Sequence, residues 1–244
     1  MDVMETMRLD KYLCQCLGIS RKEAKEKIKS GQAAVNGETV KRPEYKVCPG
    51  QDQTICQGEE LSYEPFHYLM LYKPQGVVSA TKDPAEKTVI DLIEEPYRKK
   101  LFPVGRLDKD TEGLILLTDD GELAHNLMSP RKHVAKTYYA EVSGNMGEAE
   151  IAAFAGNLDI GGGETARPAI LEVLDASEEV SRVRITITEG KFHQIKRMVK
   201  AVGSEVLFLK RLTIGPLTLP EDLSAGSYRK LTKEEIQQLK EPRC

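Results

Sequence analysis

Apolar residues recur at helical spacing near the start of the chain. Leu9, Tyr12, Leu13, Cys16 and Leu17 predict a short amphipathic helix over 8–17, stopped by Gly18. Ser20 followed three residues later by Glu23 is a capping-box pattern. It predicts a second helix with Ala24 and Ile28 turned inward and Arg21, Lys22, Lys25, Lys27 and Lys29 mostly outward. Gly31 is its natural stop. Two short strands then flank Asn36-Gly37, the strongest local signal for a tight hairpin. A polar stretch over 58–65 ends in Pro65 and reads as a last strand running into a linker.

Beyond Pro65 strands dominate. Residues 66–72 form a hydrophobic strand, Lys73-Pro74-Gln75-Gly76 a turn, and 77–80 a resumed strand. Residues 88–93 read as a short helix capped by Thr88. The apolar run from Leu114 to Leu117 reads as a buried strand. Asp119-Asp120-Gly121 turns into a helix over 122–128. Further strands are expected over 138–142, 167–174, 182–188 and 206–219. Further helices are expected over 148–155, 192–202 (stopped by Gly203) and 233–239. This order departs from simple strand-helix-strand repeats. It predicts an α+β fold on a mixed, largely antiparallel sheet with flanking helices. The expected domains are 1–62 and 63–244.

Composition adds limits. The chain has 244 residues, 40% apolar and 30% charged, which is ordinary for a soluble protein with a real core. No apolar run approaches the ~20 residues of a membrane span. The first ten residues carry three acids and no apolar block, so they do not read as a signal peptide. The cysteines, Cys14, Cys16, Cys48, Cys56 and Cys244, are odd in number and fit no zinc spacing. Reduced thiols in a cytoplasmic protein, with no metal, is the expectation. No phosphate-binding glycine loop is present, so no nucleotide cofactor is expected.

Net charge is -3, yet the charge is unevenly spread. Residues 7–48 carry ten Lys/Arg against five Asp/Glu, and residues 190–212 six against one. Residues 141–189 reverse the balance, with ten acids against three arginines. Two basic regions on an acidic chain are compatible with a nucleic-acid footprint and also with solvated helix faces.

Gly105-Arg106-Leu107-Asp108 is followed by Gly113-Leu114 and the buried strand. An acid on a loop held by a rigid strand is where a catalytic carboxylate belongs. A plain Asp-rich turn has the same local geometry. Lys136-Thr137-Tyr138-Tyr139 and the stretch from Glu189 to Met198 are the other two patches of interest. Taken singly, Tyr138 reads as a strand residue at a core edge and Lys196 as a solvated helix lysine. Asp110, Asp119 and Asp120 read as turn residues, and His193 carries no assigned role.

The segments 7–13, 20–24 and 30–37 resemble the S4 RNA-binding domain. That resemblance implies phosphate contacts from the basic helix and hairpin, through Arg8, Arg21, Lys22, Lys25, Lys29, Lys41 and Arg42. Together with the three patches, nearly the whole chain resembles a pseudouridine synthase of the small-subunit rRNA type. The resemblance implies a catalytic Asp108, an active-site Tyr138, a basic Lys196 and a cofactor-free reaction without metal. It also implies a partner, ribosomal RNA or the assembling small ribosomal subunit. A cytoplasmic monomer that uses no membrane is the accompanying expectation.

The chemistry is compatible. Isomerising uridine breaks the glycosidic bond, turns the base and joins C5 to the ribose. A carboxylate assists by adding to C6, attacking C1′ or taking the C2′ proton, and the residues do not choose among these. An opposite charge within ~4–6 Å favours the ionised carboxyl, so Lys196 suits Asp108 as a partner. Everting the nucleotide costs a few kcal/mol. Stacking on an aromatic ring returns ~1–3 kcal/mol, a role that fits Tyr138. Arg106 is placed to hold the vacated position or grip a phosphate.

Two alternatives stand beside this expectation: the same reaction on large-subunit rRNA, and a non-catalytic S4-type assembly factor. The short segment after Leu239, without a long basic tail, favours the small subunit. A hydrolase with paired carboxylates needs a second acid, and Asp110 is too near Asp108 in sequence for that. Departures from the family pattern are Tyr72, where many relatives carry Asn, and the loop Gly161-Gly162-Gly163.

Overall fold

The computed structural model describes residues 6–129 and 132–241; Cys244 lies outside them. The chain divides into two compact units. The first runs to Phe66 and includes Glu95–Tyr97; the second is the remainder.

The first unit contains β1 (Met7–Arg8), α1 (Leu9–Leu17), α2 (Arg21–Lys29), β2 (Ala33–Val35), β3 (Glu38–Thr39), β4 (Lys46–Val47), β5 (Thr54–Cys56) and β6 (Glu59–Leu61). The capping box forms: the Glu23 amide donates to Ser20 Oγ at 3.3 Å, and the Ser20 amide to Glu23 Oε2 at 2.8 Å. Leu9, Leu13, Ala24, Ile28 and Val47 are fully buried between the helices and strands. The strands run in the order β3-β2-β5-β6, all antiparallel, with β1 on β4. Asn36 and Gly37 take successive positive φ values of 51° and 83°, the backbone of a type I′ hairpin turn. Tyr63 stacks on Tyr12 at 5.5 Å and so stays with this unit.

The second unit contains β7 (Tyr68–Lys73), β8 (Phe102–Val104), β9 (Glu112–Thr118), α3 (Gly121–Met128), β10 (Lys136–Ser143), α4 (Glu148–Ala155), β11 (Leu158–Asp159) and β12 (Thr165–Ala166). It continues through β13 (Ile170–Ala176), β14 (Val180–Ile187), α5 (Gln194–Ala201), β15 (Val206–Ile214), β16 (Leu217–Thr218), β17 (Tyr228–Lys230) and α6 (Lys233–Lys240). Among the described residues, nine strands form one sheet along β13-β14-β10-β15-β9-β7-β17, with β8 on β9 and β16 on β15. Its pairings are antiparallel except β15 with β9, which is parallel and joins only Lys210 to Glu112 and Arg211 to Gly113. The sheet is thus mixed and largely antiparallel, as expected. Buried and less buried positions alternate along β10, with Lys136, Tyr138, Ala140 and Val142 buried. One face packs Met70, Leu114, Leu116 and Ile214 with Leu123 and Leu127 of α3 and Leu239 of α6.

Two expectations are corrected. Residues 77–80 do not resume the strand; Val78 makes only an isolated bridge to Thr88. The reason is local: Ser79 Oγ accepts from the Leu107 amide at 3.0 Å and donates to its carbonyl at 2.8 Å. This ties the segment to the Asp108 loop instead of a sheet edge. The helix expected from residue 192 begins at Gln194, because His193 sits at φ 48° and breaks the helical run. Residues 89–92 form a tight 3₁₀ turn, capped by Thr88 and Asp91.

Candidate active site

Asp108 stands in the loop between β8 and β9. Three sets of hydrogen bonds fix that loop from beneath. Ser79 holds Leu107, as above. The Gly76 amide donates to the Lys109 carbonyl at 2.8 Å. Lys73, at the end of β7, is wholly buried and donates to the carbonyls of Thr111 at 2.8 Å, Pro74 at 3.1 Å and Lys109 at 3.4 Å. Burial pushes the Lys73 ammonium down to about 8; nearby Asp110, Asp108 and Glu112 resist that fall and the charge of Arg211 adds to it.

The cation opposite comes from α5. Lys196 Nζ lies 3.1 Å from Asp108 Oδ2 and 2.6 Å from Asp110 Oδ1. Partial burial pulls this ammonium down, but its contacts with Asp110 and Asp108 outweigh that and raise it above its ordinary value. The hydrogen bond from Lys196 holds the Asp110 carboxyl below the usual range. His193 Nε2 lies 3.4 Å from Asp108 Oδ1. The segment before α5 is braced by buried Gln194. Its side chain accepts from the Lys191 amide at 2.9 Å and donates to Glu189 Oε1 at 2.8 Å.

These groups line a cavity of about 590 Å³, which includes Asp108, Tyr138, Lys196, Arg211, Arg106 and Phe192. That volume lies within the ~300–1,000 Å³ range of small-molecule sites. Tyr138 is nearly buried on β10, with Arg211 of β15 directly across on the next strand. Its hydroxyl has no hydrogen-bond partner among the described residues. Arg211 is 2% exposed; its Nε donates to the Leu114 carbonyl at 2.7 Å, and its buried Nη2 has no partner among the described residues. Arg106 is exposed on the cavity wall.

The structure therefore brings Asp108, Tyr138, Lys196 and Arg106 to one cavity. The remaining cations expected to bind RNA belong to the first unit. Arg21, Lys22, Lys25, Lys29, Lys41 and Arg42 are all exposed, and none enters a salt bridge among the described residues. Arg8 differs: it holds buried Asp10 through two hydrogen bonds of 3.0 and 2.8 Å. Lys73, Asp110, His193 and Arg211 were not picked out by the sequence pattern. Asp110 looked like a turn residue and shares the lysine of Asp108. No group of three or more His, Cys, Asp or Glu among the described residues is arranged to hold a metal ion.

Comparison with known proteins is consistent with this geometry. The family described as RNA pseudouridylate synthase matches residues 67–201, and the S4 domain matches residues 7–52. An uncharacterized RNA pseudouridine synthase of Bacillus subtilis (strain 168) is 45% identical over 98% of this chain and 100% of its own length. The ribosomal small subunit pseudouridine synthase A of Escherichia coli (strain K12) is 41% identical over 94% of this chain and 98% of its own. A crystal structure of a pseudouridylate synthase superposes with a TM-score of 0.67 at 39% identity, covering 96% of this chain and 99% of that one. A match of this extent, over both the module and the sheet that carries the cavity, makes the chain a member of the RNA pseudouridylate synthase family, with an S4 domain at its N-terminus.

Proposed function

We propose that this enzyme converts a uridine of small-subunit ribosomal RNA to pseudouridine, with Asp108 as the catalytic carboxylate. The observation that carries the reading is the ion pair of Asp108 with Lys196, in the wall of a cavity that also holds Tyr138. The E. coli relative, named for the small subunit and alike over nearly its whole length, supports the choice of rRNA.

In this reading Asp108 meets the everted nucleoside, and Lys196 keeps a positive charge against it. Tyr138 stacks on the uracil. The N1–C1′ bond breaks, C5–C1′ forms, and a proton moves from C5 to solvent while N1 takes one up. Atoms and electrons are conserved, so the reaction calls for no cofactor. Arg106 grips the strand at the cavity wall. The first unit anchors structured RNA through Arg21, Lys22, Lys25, Lys29, Lys41 and Arg42, and the second unit carries the chemistry. Arg8 is left to brace α1, since Asp10 occupies it. The enzyme works as a cytoplasmic monomer on rRNA or the assembling small subunit. No helix among the described residues is long and apolar enough to cross a membrane.

The test is to map pseudouridines in rRNA from a strain lacking the gene, complemented with wild type or Asp108→Asn. One small-subunit site should vanish on deletion and return only with the wild type. Its return with Asp108→Asn would overturn the role of the carboxylate. Loss of a large-subunit site instead would overturn the choice of substrate.

A further inference from the structure

Phe192 is the most exposed large apolar side chain among the described residues, at 76%. It does not lie on a random surface. It lines the cavity that holds Asp108. One face of its ring rests on the His193 imidazole, with ring centres 3.8 Å apart and planes 19° from parallel. The other face is turned to solvent. His193 in turn stands 3.4 Å from Asp108. A line of two stacked rings therefore leads outward from the carboxylate to the rim.

The surroundings hold this step in place. Gln194 ties down the chain on both sides of residue 190, and Arg197 Nη1 donates to the Phe192 carbonyl at 3.3 Å. Exposed Arg106, in no salt bridge among the described residues, lines the same cavity. An open aromatic face on a cavity that an exposed arginine also lines has the chemistry of a single-strand stacking platform.

We infer that Phe192, backed by His193, stacks on the base next to the target uridine and holds the strand once that uridine has left its stack. This rests on the function proposed above. Phe192 is a positioning residue: it touches the neighbouring nucleotide, not the reacting atoms. Tyr138 receives the target base inside, and Phe192 takes the flanking base outside.

The experiment uses the full chain and RNA carrying the mapped target uridine, with 2-aminopurine at its 5′ neighbour in one RNA and its 3′ neighbour in another. Wild type and Phe192→Tyr should quench the fluorescence at one of the two positions. Phe192→Ala and Phe192→Leu should not, and their kcat/KM for pseudouridine formation should fall about 5- to 150-fold, the range set by loss of one base stack. Leucine keeps apolar bulk without a π face, so full function in Phe192→Leu would overturn the inference in favour of plain packing. Phe192→Ala equal to wild type in both readouts would also overturn it. Failure of the wild type itself to form pseudouridine would instead sink the proposed function, which keeps the two failures apart.

Discussion

Replacing Gly113 by alanine tests the junction on which the site is built. Gly113 faces Arg211 where β9 and β15 run parallel, at φ +108°. A Cβ there would lie 2.2 Å from the Arg211 carbonyl oxygen and 2.5 Å from its amide nitrogen. Both are main-chain atoms, so neither turns aside. A side chain held at such a φ costs ~1–3 kcal/mol. Parting packed strands to admit it costs a further ~1–3 kcal/mol. The combined loss is roughly 2–6 kcal/mol. At ~2–4 °C per kcal/mol for a unit of this size, the melting midpoint should drop by about 4–24 °C in calorimetry of the full chain. Function should fall as well, even where the variant is folded. Asp108 hangs from the β9 side of this junction, and Arg211 and Tyr138 from the β15 side. A midpoint within about 1 °C of wild type, with an unchanged rate of pseudouridine formation, would refute the reasoning.

Two further predictions concern charge. Lys73 releases its proton near 8 when folded but near its ordinary 10.5 when unfolded. Between those values the unfolded chain binds more protons, so stability rises with pH. Urea denaturation from pH 8 to 10.5 should show wild type gaining steadily on Lys73→Met, and a gap independent of pH would exclude the buried ammonium as its source. In the first unit, Lys22→Gln and Lys25→Gln should each flatten the slope of log affinity for RNA against log salt by about 0.7–0.9 per lost phosphate contact, the lower figure for single strands and the upper for duplex. An unchanged slope would remove α2 from the RNA-binding surface.

The parts of the fold legible in the sequence are those written in a few neighbouring residues. Ser20 and Glu23 announce α2 because the capping bonds span three residues. Asn36-Gly37 announces its hairpin because both tolerate positive φ. Asp108 and Lys196 were legible through motifs, and the structure adds the 3.1 Å contact between them. The hidden parts depend on partners far along the chain. Arg211 looks like an ordinary charged position in a strand, and Lys73 like the opening residue of a turn. Their burial is tolerated because backbone carbonyls of Leu114, Pro74, Lys109 and Thr111 accept their hydrogen bonds. Residues 77–80 read as a strand by composition, but the hydroxyl of Ser79 spends itself on Leu107, 28 residues away. Phe192 read as the start of a helix by hydrophobicity, whereas the left-handed turn at His193 throws it outward.

Gln194 has a thermodynamic consequence. By clipping Glu189 and Lys191 from a buried position, it sets the rim segment during folding rather than at the encounter with RNA. The Gln194 and Glu189 side chains are held by this clip, and each side chain already held spares about 0.5–1.5 kcal/mol of ordering free energy on association. On the inference made for Phe192, the rim is set before RNA arrives, and the heat-capacity change of binding should reflect buried surface alone, without a signature of coupled folding.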